Sequence, residues 1–260
     1  MNQIQLEEEL KRIVFIAGDM MVKAREDIDF TNTFKDDGSP VTNIDEQVQA
    51  YIETELTKIS PFKIIGEENQ THTDDDTYWA IDPIDGTWGY ISYENTSVVN
   101  LSLIKQGKVA IGIVYNPFTQ EYFFSFGDGA CVNKHQLPIV KNDDVTIVNF
   151  CPSTQVHCEK PLFDLLREDT IKKLTAIGGS VSYAMCMVAK GSFSNYLVYF
   201  NKESKPWDFS ASHLIVKQAG GMVTDLLGNE IDPNCYEGYF LASDTKDNHQ
   251  KLLSKLAKEL

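Results

Sequence analysis

The segment Trp79-Ala80-Ile81-Asp82-Pro83-Ile84-Asp85-Gly86-Thr87 constrains what this chain can fold into more than any other. An apolar run suited to a buried strand passes, without a polar spacer, into two carboxylates, a proline, a glycine and a hydroxyl. Such a strand must be covered along its faces and open at its end, where sites are commonly built. Pro83 biases Asp82 towards extended backbone and has no N–H of its own, so the turn is stiff. Asp82 and Asp85 are then expected to converge on one side, with the Ile84 carbonyl between them. Gly86 permits close backbone approach, and the residues after it are placed to start a helix whose free N–H groups attract an anion. The structural alternative is that Asp-Pro and Asp-Gly merely form turns, with Asp85 or Thr87 capping a helix. A calcium loop of the EF-hand kind is excluded, because with Gly86 at the glycine position the first ligand would fall on Ile81.

Around this segment the hydrophobic period changes twice. Leu6, Leu10, Ile13, Val14, Ala17 and Met21 recur at helical spacing and predict an amphipathic first helix with an acid-rich start. Ile44, Val48, Tyr51, Ile52, Leu56 and Ile59 predict a second. The polar stretch 27–40 between them, with Asp36, Asp37, Gly38 and Ser39, reads as a loop or a short hairpin. Strand-like patterns follow at 62–65, 78–81, 97–104, 109–115 and 121–126. Gln106-Gly107 and Asn116-Pro117 join the last three, which predicts an antiparallel meander. In the second half, apolar runs at 146–150, 174–177, 197–200, 222–224 and 239–242 alternate with helical stretches at 161–167, 181–190, 208–219 and 245–260. The expected fold is therefore an N-terminal α+β half with an antiparallel sheet over residues 1–140 and a C-terminal α/β half over residues 141–260, with a boundary near 138–144.

Charge and cysteine content narrow the function. The 260 residues carry 38 acidic against 23 basic side chains, a net charge of −15. Nucleic acid and anionic membrane surfaces are not expected partners, since no basic stripe offsets that repulsion. No run of eighteen apolar residues occurs, and the opening MNQIQLEEEL lacks a basic region followed by an apolar stretch, so neither a membrane span nor a signal peptide is expected. Five cysteines without a Cys-x-x-Cys pair argue against a disulfide framework or a thiolate zinc site and predict a cytoplasmic protein. Cys151, Cys158 and Cys186 read as buried apolar fillers. His72, His135, His157, His213 and His249 are scattered, and His213 reads as structural.

Three further acidic segments bear on the site. Ile64-Ile65-Gly66-Glu67-Glu68 ends a strand with paired acids, and Trp207-Asp208 opens the helix 209–219, which closes at Gly220-Gly221. Val41-Thr42-Asn43-Ile44-Asp45 reads as a helix start with Thr42 as its cap. Singly, each has a structural explanation: solvated glutamates, an aspartate at a helix N-cap, an acid in a first turn. Together, Val-Thr-x-x-Asp, Gly-Glu-Glu, Asp-Pro-Ile-Asp-Gly-Thr and Trp-Asp with Ala-Gly-Gly follow the order of one family. From the first helix to Gly220-Gly221, the chain resembles the inositol monophosphatase family of magnesium-dependent, lithium-sensitive phosphatases.

That resemblance implies a layered αβαβα sandwich and hydrolysis of small phosphorylated metabolites, such as inositol monophosphate, by metal-activated water. Some relatives accept NADP(H) or a sugar bisphosphate such as fructose 1,6-bisphosphate. It implies Glu67, Asp82 and the Ile84 carbonyl at one magnesium ion, Asp82, Asp85 and Asp208 at a second, and a third, weaker ion near Glu67. Thr87 would position the attacking water with Asp45 as its hydrogen-bonding partner, placing Thr87, Asp45 and Glu67 among the catalytic residues. The Gly86 and Thr87 amides would hold phosphate oxygens, with Gly179, Ser180 and Asp208 beside the substrate. A homodimer is implied as well.

The physical logic agrees. Four clustered carboxylates cannot all stay ionised without cations, and oxygen-only donors favour magnesium over zinc. Phosphate monoester hydrolysis demands rate gains of up to ~10²¹. A general base supplies only about 10²–10⁴ of that, so metal clamping must supply much of the remainder. Neither Gly-x-Ser-x-Gly nor a Cys-x₅-Arg phosphatase loop occurs, so a covalent intermediate is not expected.

The chain departs from the family pattern in two places. Trp88-Gly89-Tyr90 stands where relatives carry a polar residue and Asn-Phe, and the stretch 191–207 is longer than usual. Glu203 and Asn201 are the candidates for the glutamate that relatives use on inositol hydroxyls. Lys202 and Lys205 read as solvated, or as partners for a second phosphate. Two rival classes remain at this stage: a glycosidase, which needs two carboxylates and no metal, and a non-catalytic metal or phosphate sensor.

Overall fold

Apolar stripes, caps and turns organise the chain into layers whose edges meet at the end of one strand. The computed structural model describes residues 2–35, 38–70, 72–140, 145–148 and 155–256. Asn2 and Gln5 close a capping box at the start of α1 (Gln3–Glu26), whose buried face carries Leu10, Ile13, Val14, Ala17 and Met21. The polar stretch after it contains the hairpin of β1 (Asn32–Phe34) and β2 (Pro40–Thr42). Asp36 and Asp37 lie outside the described residues. Thr42 and Asp45 form the capping box of α2 (Asn43–Ile59), as the sequence predicts.

A seven-stranded sheet follows, with its strands in chain order: β3 (Lys63–Gly66), β4 (Thr77–Asp85), β5 (Val98–Lys105), β6 (Lys108–Asn116), β7 (Glu121–Ser125), β8 (Ala130–Val132) and β9 (His135–Gln136). The short helix α3 (Thr87–Ile91) links β4 to β5. β3 runs parallel to β4 and every later pair is antiparallel, so the expected meander is present and two short strands longer. Strands of two and three residues are too brief to show an alternation in sequence.

The second sheet has the order β11-β10-β12-β14-β13, built from β10 (Val145–Val148), β11 (Lys173–Thr175), β12 (Asn195–Phe200), β13 (Met222–Asp225) and β14 (Gly238–Ser243). Between its strands lie α4 (Gln155–Arg167), α5 (Val181–Lys190) and α6 (Pro206–Gln218), and α7 (Lys246–Leu256) follows the last strand. Two helix starts differ from expectation. α4 begins before Pro161, which sits inside the helix, and α6 begins at Pro206, the favoured first position for proline, so that Asp208 is its third residue rather than its cap. Residues 141–144, 149–154 and 257–260 lie outside the described residues, with part of the expected boundary near 138–144, the end of the strand expected at 146–150, Cys151 and the end of the last helix. The side chain of Cys158 does too.

Buried side chains reveal five layers. α1 and α2 pack on one face of the large sheet around Trp79, Ile81, Leu101 and Ile113. Its other face meets α5 and α6 through Val98, Val114 and Phe123, and the same helices contact Tyr196 and Phe240 of the second sheet. Leu162, Leu165, Leu252 and Leu256 of α4 and α7 cover that sheet from outside against Leu197 and Leu241. This is the αβαβα sandwich expected. Cys186 is fully buried in the middle layer, as an apolar filler should be. Truncating a core side chain such as Trp79, which is 1% exposed, is expected to cost about 3–5 kcal/mol.

Strand alternation sets the site. Along β4, Trp79 and Ile81 face α1 and α2, while Ala80 packs with Trp207 of α6. The same alternation turns Asp82 towards α6. Gly112 on β6 lets that helix come close, since a Cβ there would stand 2.5 Å from the Ala211 carbonyl oxygen.

Candidate active site

β4 does not stop at its apolar run but continues through Asp82-Pro83-Ile84-Asp85, with a register shift against β5 between the two aspartates. The Asp82 Oδ1 accepts the Ile84 N–H at 3.0 Å, which fixes the turn. Gly86 then adopts φ 91°, and a Cβ there would press on the Ser180 Cβ at 2.9 Å, so both backbone sign and space call for glycine. α3 starts at the next residue.

Four acids from three places meet here. Asp82 and Asp85 are buried at the end of β4, Glu67 follows β3, and Asp208 sits in the first turn of α6. At the three aspartates, charge crowding adds to the effect of burial. Burial first, then the charges of Glu67 and Asp85, hold the Asp82 carboxyl well above the ordinary range. Burial lifts Asp208 to about 7, against the pull of the Lys205 N–H, and Glu67 and Asp85 add to the rise. Asp85 rises to about 6 by burial, restrained by the Ser180 hydroxyl and the Ser182 N–H, each at 2.8 Å from its Oδ2. Asn100 also approaches that oxygen, at 3.4 Å.

Thr87 and Asp45 stand beside this cluster. The Thr87 hydroxyl lies 3.1 Å from the Ile84 carbonyl and 3.4 Å from Asp45 Oδ1, so the expected Asp45 partner is within reach but the carbonyl is nearer. Asp45 is buried, and burial lifts its carboxyl to about 7 despite the Thr42 hydroxyl and N–H at its other oxygen.

Lys35, at the hairpin tip, joins the site from a stretch that the sequence alone marks only as polar. Its ammonium donates to Glu67 at 2.7 Å and to Glu68 at 3.0 Å. Burial lowers the lysine pKa, but the two glutamates outweigh it and the net shift is upward. Among the described residues, no three acidic, histidine or cysteine side chains are already arranged as a finished metal cage. The donor set nevertheless fits a hard divalent cation: crowded, buried carboxylates with raised pKa values are the groups such an ion relieves.

Residues 3–260 match the family model of inositol monophosphatases. The chain belongs to the inositol monophosphatase family. It is similar to the 3'(2'),5'-bisphosphate nucleotidase CysQ of Buchnera aphidicola, at 27% identity over 83% of each chain. It is also similar to the Nus factor SuhB of Pasteurella multocida, at 30% identity over 82% of each. The solved structure of an IMPase from Thermotoga maritima matches with a TM-score of 0.83, 25% identity and 98% of both chains covered. These relatives place the chain in a family of phosphatases and give it the inositol monophosphatase fold.

The remaining expected site residues also lie at this turn. Gly179, with φ 77°, is close to Gly86 and Trp88, and Ser180 caps α5 while holding Asp85. Glu203 accepts from Lys205 Nζ at 2.9 Å and from the Cys235 thiol at 2.8 Å. Asn201, Lys202, Glu203 and Asp208 line a cavity of about 230 Å³ with Asp82 and Asp85. A larger cleft of about 720 Å³ runs from Lys35 and Glu67 past Asp208 to Lys202, Lys205 and Trp207. Sequence reasoning passed over Asn100 and Ser182, which support Asp85 from behind. The one available signal was a polar residue inside the apolar run of β5.

Proposed function

We propose that this chain is a magnesium-dependent phosphomonoesterase acting on small phosphorylated metabolites. The observation that carries the reading is the convergence of Glu67, Asp82, Asp85 and Asp208, four acids from separated segments, at the end of one strand, where Asp82 and Asp85 are buried. Glu67, Asp82, the Ile84 carbonyl, Asp85 and Asp208 would hold two or three magnesium ions. Bound there, the ions neutralise phosphate charge and activate water for in-line attack.

The chain's own groups supply the rest. The Gly86 and Thr87 amides receive phosphate oxygens, and the Thr87 hydroxyl orients the attacking water. Asp45 Oδ1, 3.4 Å from that hydroxyl, takes up the proton relayed through it. A pKa near 7 suits a group that exchanges a proton at neutral pH. Gly179, Ser180 and Asp208 border the alcohol that leaves.

A second reading of the substrate rests on the 720 Å³ cleft, where Lys202 and Lys205 share a wall with Asp208. It favours doubly phosphorylated substrates such as NADP(H) or fructose 1,6-bisphosphate, with the lysines at the second phosphate. A homodimer located in the cytoplasm completes the proposal. Its support is the family resemblance, the acidic composition and the described helices, none of which is long and apolar enough to cross a membrane.

The test is release of inorganic phosphate from inositol 1-phosphate, NADP and fructose 1,6-bisphosphate, with magnesium or with EDTA. Magnesium-dependent release from at least one supports the reading. Metal binding without release would make the chain a sensor, and EDTA-insensitive sugar cleavage would make it a glycosidase.

A further inference from the structure

Asp85 ends a strand of the large sheet and Asp208 opens a helix more than a hundred positions later, yet one buried serine touches both. The Ser182 N–H donates to Asp85 Oδ2 at 2.8 Å, and the Ser182 hydroxyl donates to the Asp208 carbonyl at 3.1 Å. The same hydroxyl accepts an N–H of the Asn100 amide at 2.9 Å. Asn100 Nδ2 also approaches Asp85 Oδ2 and the Trp207 carbonyl, each at 3.4 Å. Both side chains are buried. β4, β5, α5 and α6 are thereby tied at one point.

Backbone register puts Asn100 there. Asn100 pairs with Asp82 and Val98 pairs with Asp85, so β4 covers three residue steps where β5 covers two. Paired residues share a face of the sheet, and the extra residue brings Asp82 and Asp85 onto the face of Asn100 and Val98. That face is the one packed on α5 and α6, since Val98 belongs to their cluster.

Folding alone does not call for an amide here. Among the described residues, Asn100 Oδ1 is buried without a hydrogen-bond partner. An orphaned acceptor is a net cost to folding, and an apolar side chain of similar size would avoid it. What the amide supplies is Nδ2, directed at the Asp85 carboxylate and at the hydroxyl that holds Asp208. A hydroxyl has a single hydrogen, so with Asn100 donating to Ser182 Oγ that hydrogen is left for the Asp208 carbonyl.

We propose that Asn100 and Ser182 are positioning residues that set the spacing between Asp85 and Asp208, and with it the affinity for the ion these two acids share. The proposal rests on the reading of the acids as a site for two or more ions and adds a selectivity to it. Neither side chain hydrogen-bonds to Glu67, Asp82 or Ile84, so the ion assigned to those groups is left nearly as it was.

The test is calorimetric titration of magnesium at pH 8 into the unaltered chain, Ser182→Ala, Asn100→Leu, the double variant and, as a reference, Asp208→Asn. The step that Asp208→Asn weakens marks the shared ion. In each single variant that step weakens by about tenfold, while the other step stays nearly unchanged. The double variant loses no more than the larger single loss, because both changes cut the same tie. Ser182→Cys keeps the shape with a weaker donor and falls between Ser182→Ala and the unaltered chain. It also takes the place of Ser182→Ala if denaturant unfolding in EDTA shows that variant to be unfolded. Equal weakening of both steps overturns the proposal, since a general loosening of the fold would give that, and additive losses in the double variant overturn the shared tie. If the unaltered chain takes up no magnesium, the metal reading fails and the positioning role with it. Uptake by the unaltered chain that the folded variants leave unshifted removes the positioning role alone.

Discussion

The Ser180 hydroxyl donates to Asp85 Oδ2 at 2.8 Å while accepting the Tyr183 N–H at 3.0 Å. One side chain therefore starts α5 and steadies a carboxylate at the end of β4. Ser180→Ala removes both contacts. Loss of the cap is expected to cost about 1 kcal/mol. Loss of the donor raises the Asp85 pKa further above about 6, so magnesium binding weakens near neutral pH. Denaturant unfolding and a magnesium titration at pH 7 check the two effects separately, and an unshifted titration would count against a role for Asp85 at the metal.

Thr87→Ala separates water positioning from metal binding. The hydroxyl touches the Ile84 carbonyl and Asp45 but carries no charge. Turnover is expected to fall by about 10²-fold or more, in the range of a lost proton-transfer partner. The magnesium requirement should move far less. Parallel losses in both would show that Thr87 acts by shaping the metal site.

Lys35→Gln removes the cation that now satisfies Glu67 and Glu68. In EDTA the variant is expected to be less stable, because two partly buried glutamates lose their partner. With magnesium it should bind the ion more tightly, since a competing positive charge is gone. Weaker magnesium binding in Lys35→Gln would mean that the lysine assists the ion instead.

The pH dependence of stability follows from acids raised by burial. Asp45 and Asp208 rise to about 7 and Asp85 to about 6, whereas the unfolded chain releases these protons near pH 4. Between those limits the folded chain binds more protons than the unfolded one, so stability falls as pH rises through about 7, and Asp82, held well above the ordinary carboxylate range by burial, acts in the same direction. His213 and His249, lowered to about 4 by burial, work in the opposite direction, but only below about pH 6.5. In EDTA the chain should therefore be less stable at pH 8 than at pH 6.5, with magnesium restoring more at pH 8. Denaturant midpoints at the two values measure this, and a higher midpoint at pH 8 in EDTA would contradict it.

Sequence carried the layers and most of the cluster for a physical reason: each signal was local. Trp79 to Thr87 declared a buried strand and its acidic end within nine residues, and Thr42 and Asp45 declared a helix start three residues apart. Asp208 is legible through the adjoining Trp207, but the apolar period begins after it, while the helix itself starts at Pro206, the favoured first position for proline. What escaped was long-range. Nothing near Lys35 announces that a hairpin will carry it across 32 positions to Glu67. Asn100 likewise gains meaning only when α5 brings Ser182 within 2.9 Å of it.

Glu67, Asp82, Asp85 and Asp208 are proposed to share divalent ions. Calorimetric titration of magnesium into the unaltered chain and into Asp208→Asn, at pH 8, tests it most directly. Uptake of at least two ions per chain is predicted, weakened by about tenfold or more in Asp208→Asn. No binding heat in the unaltered chain, or identical isotherms for the two proteins, would contradict it.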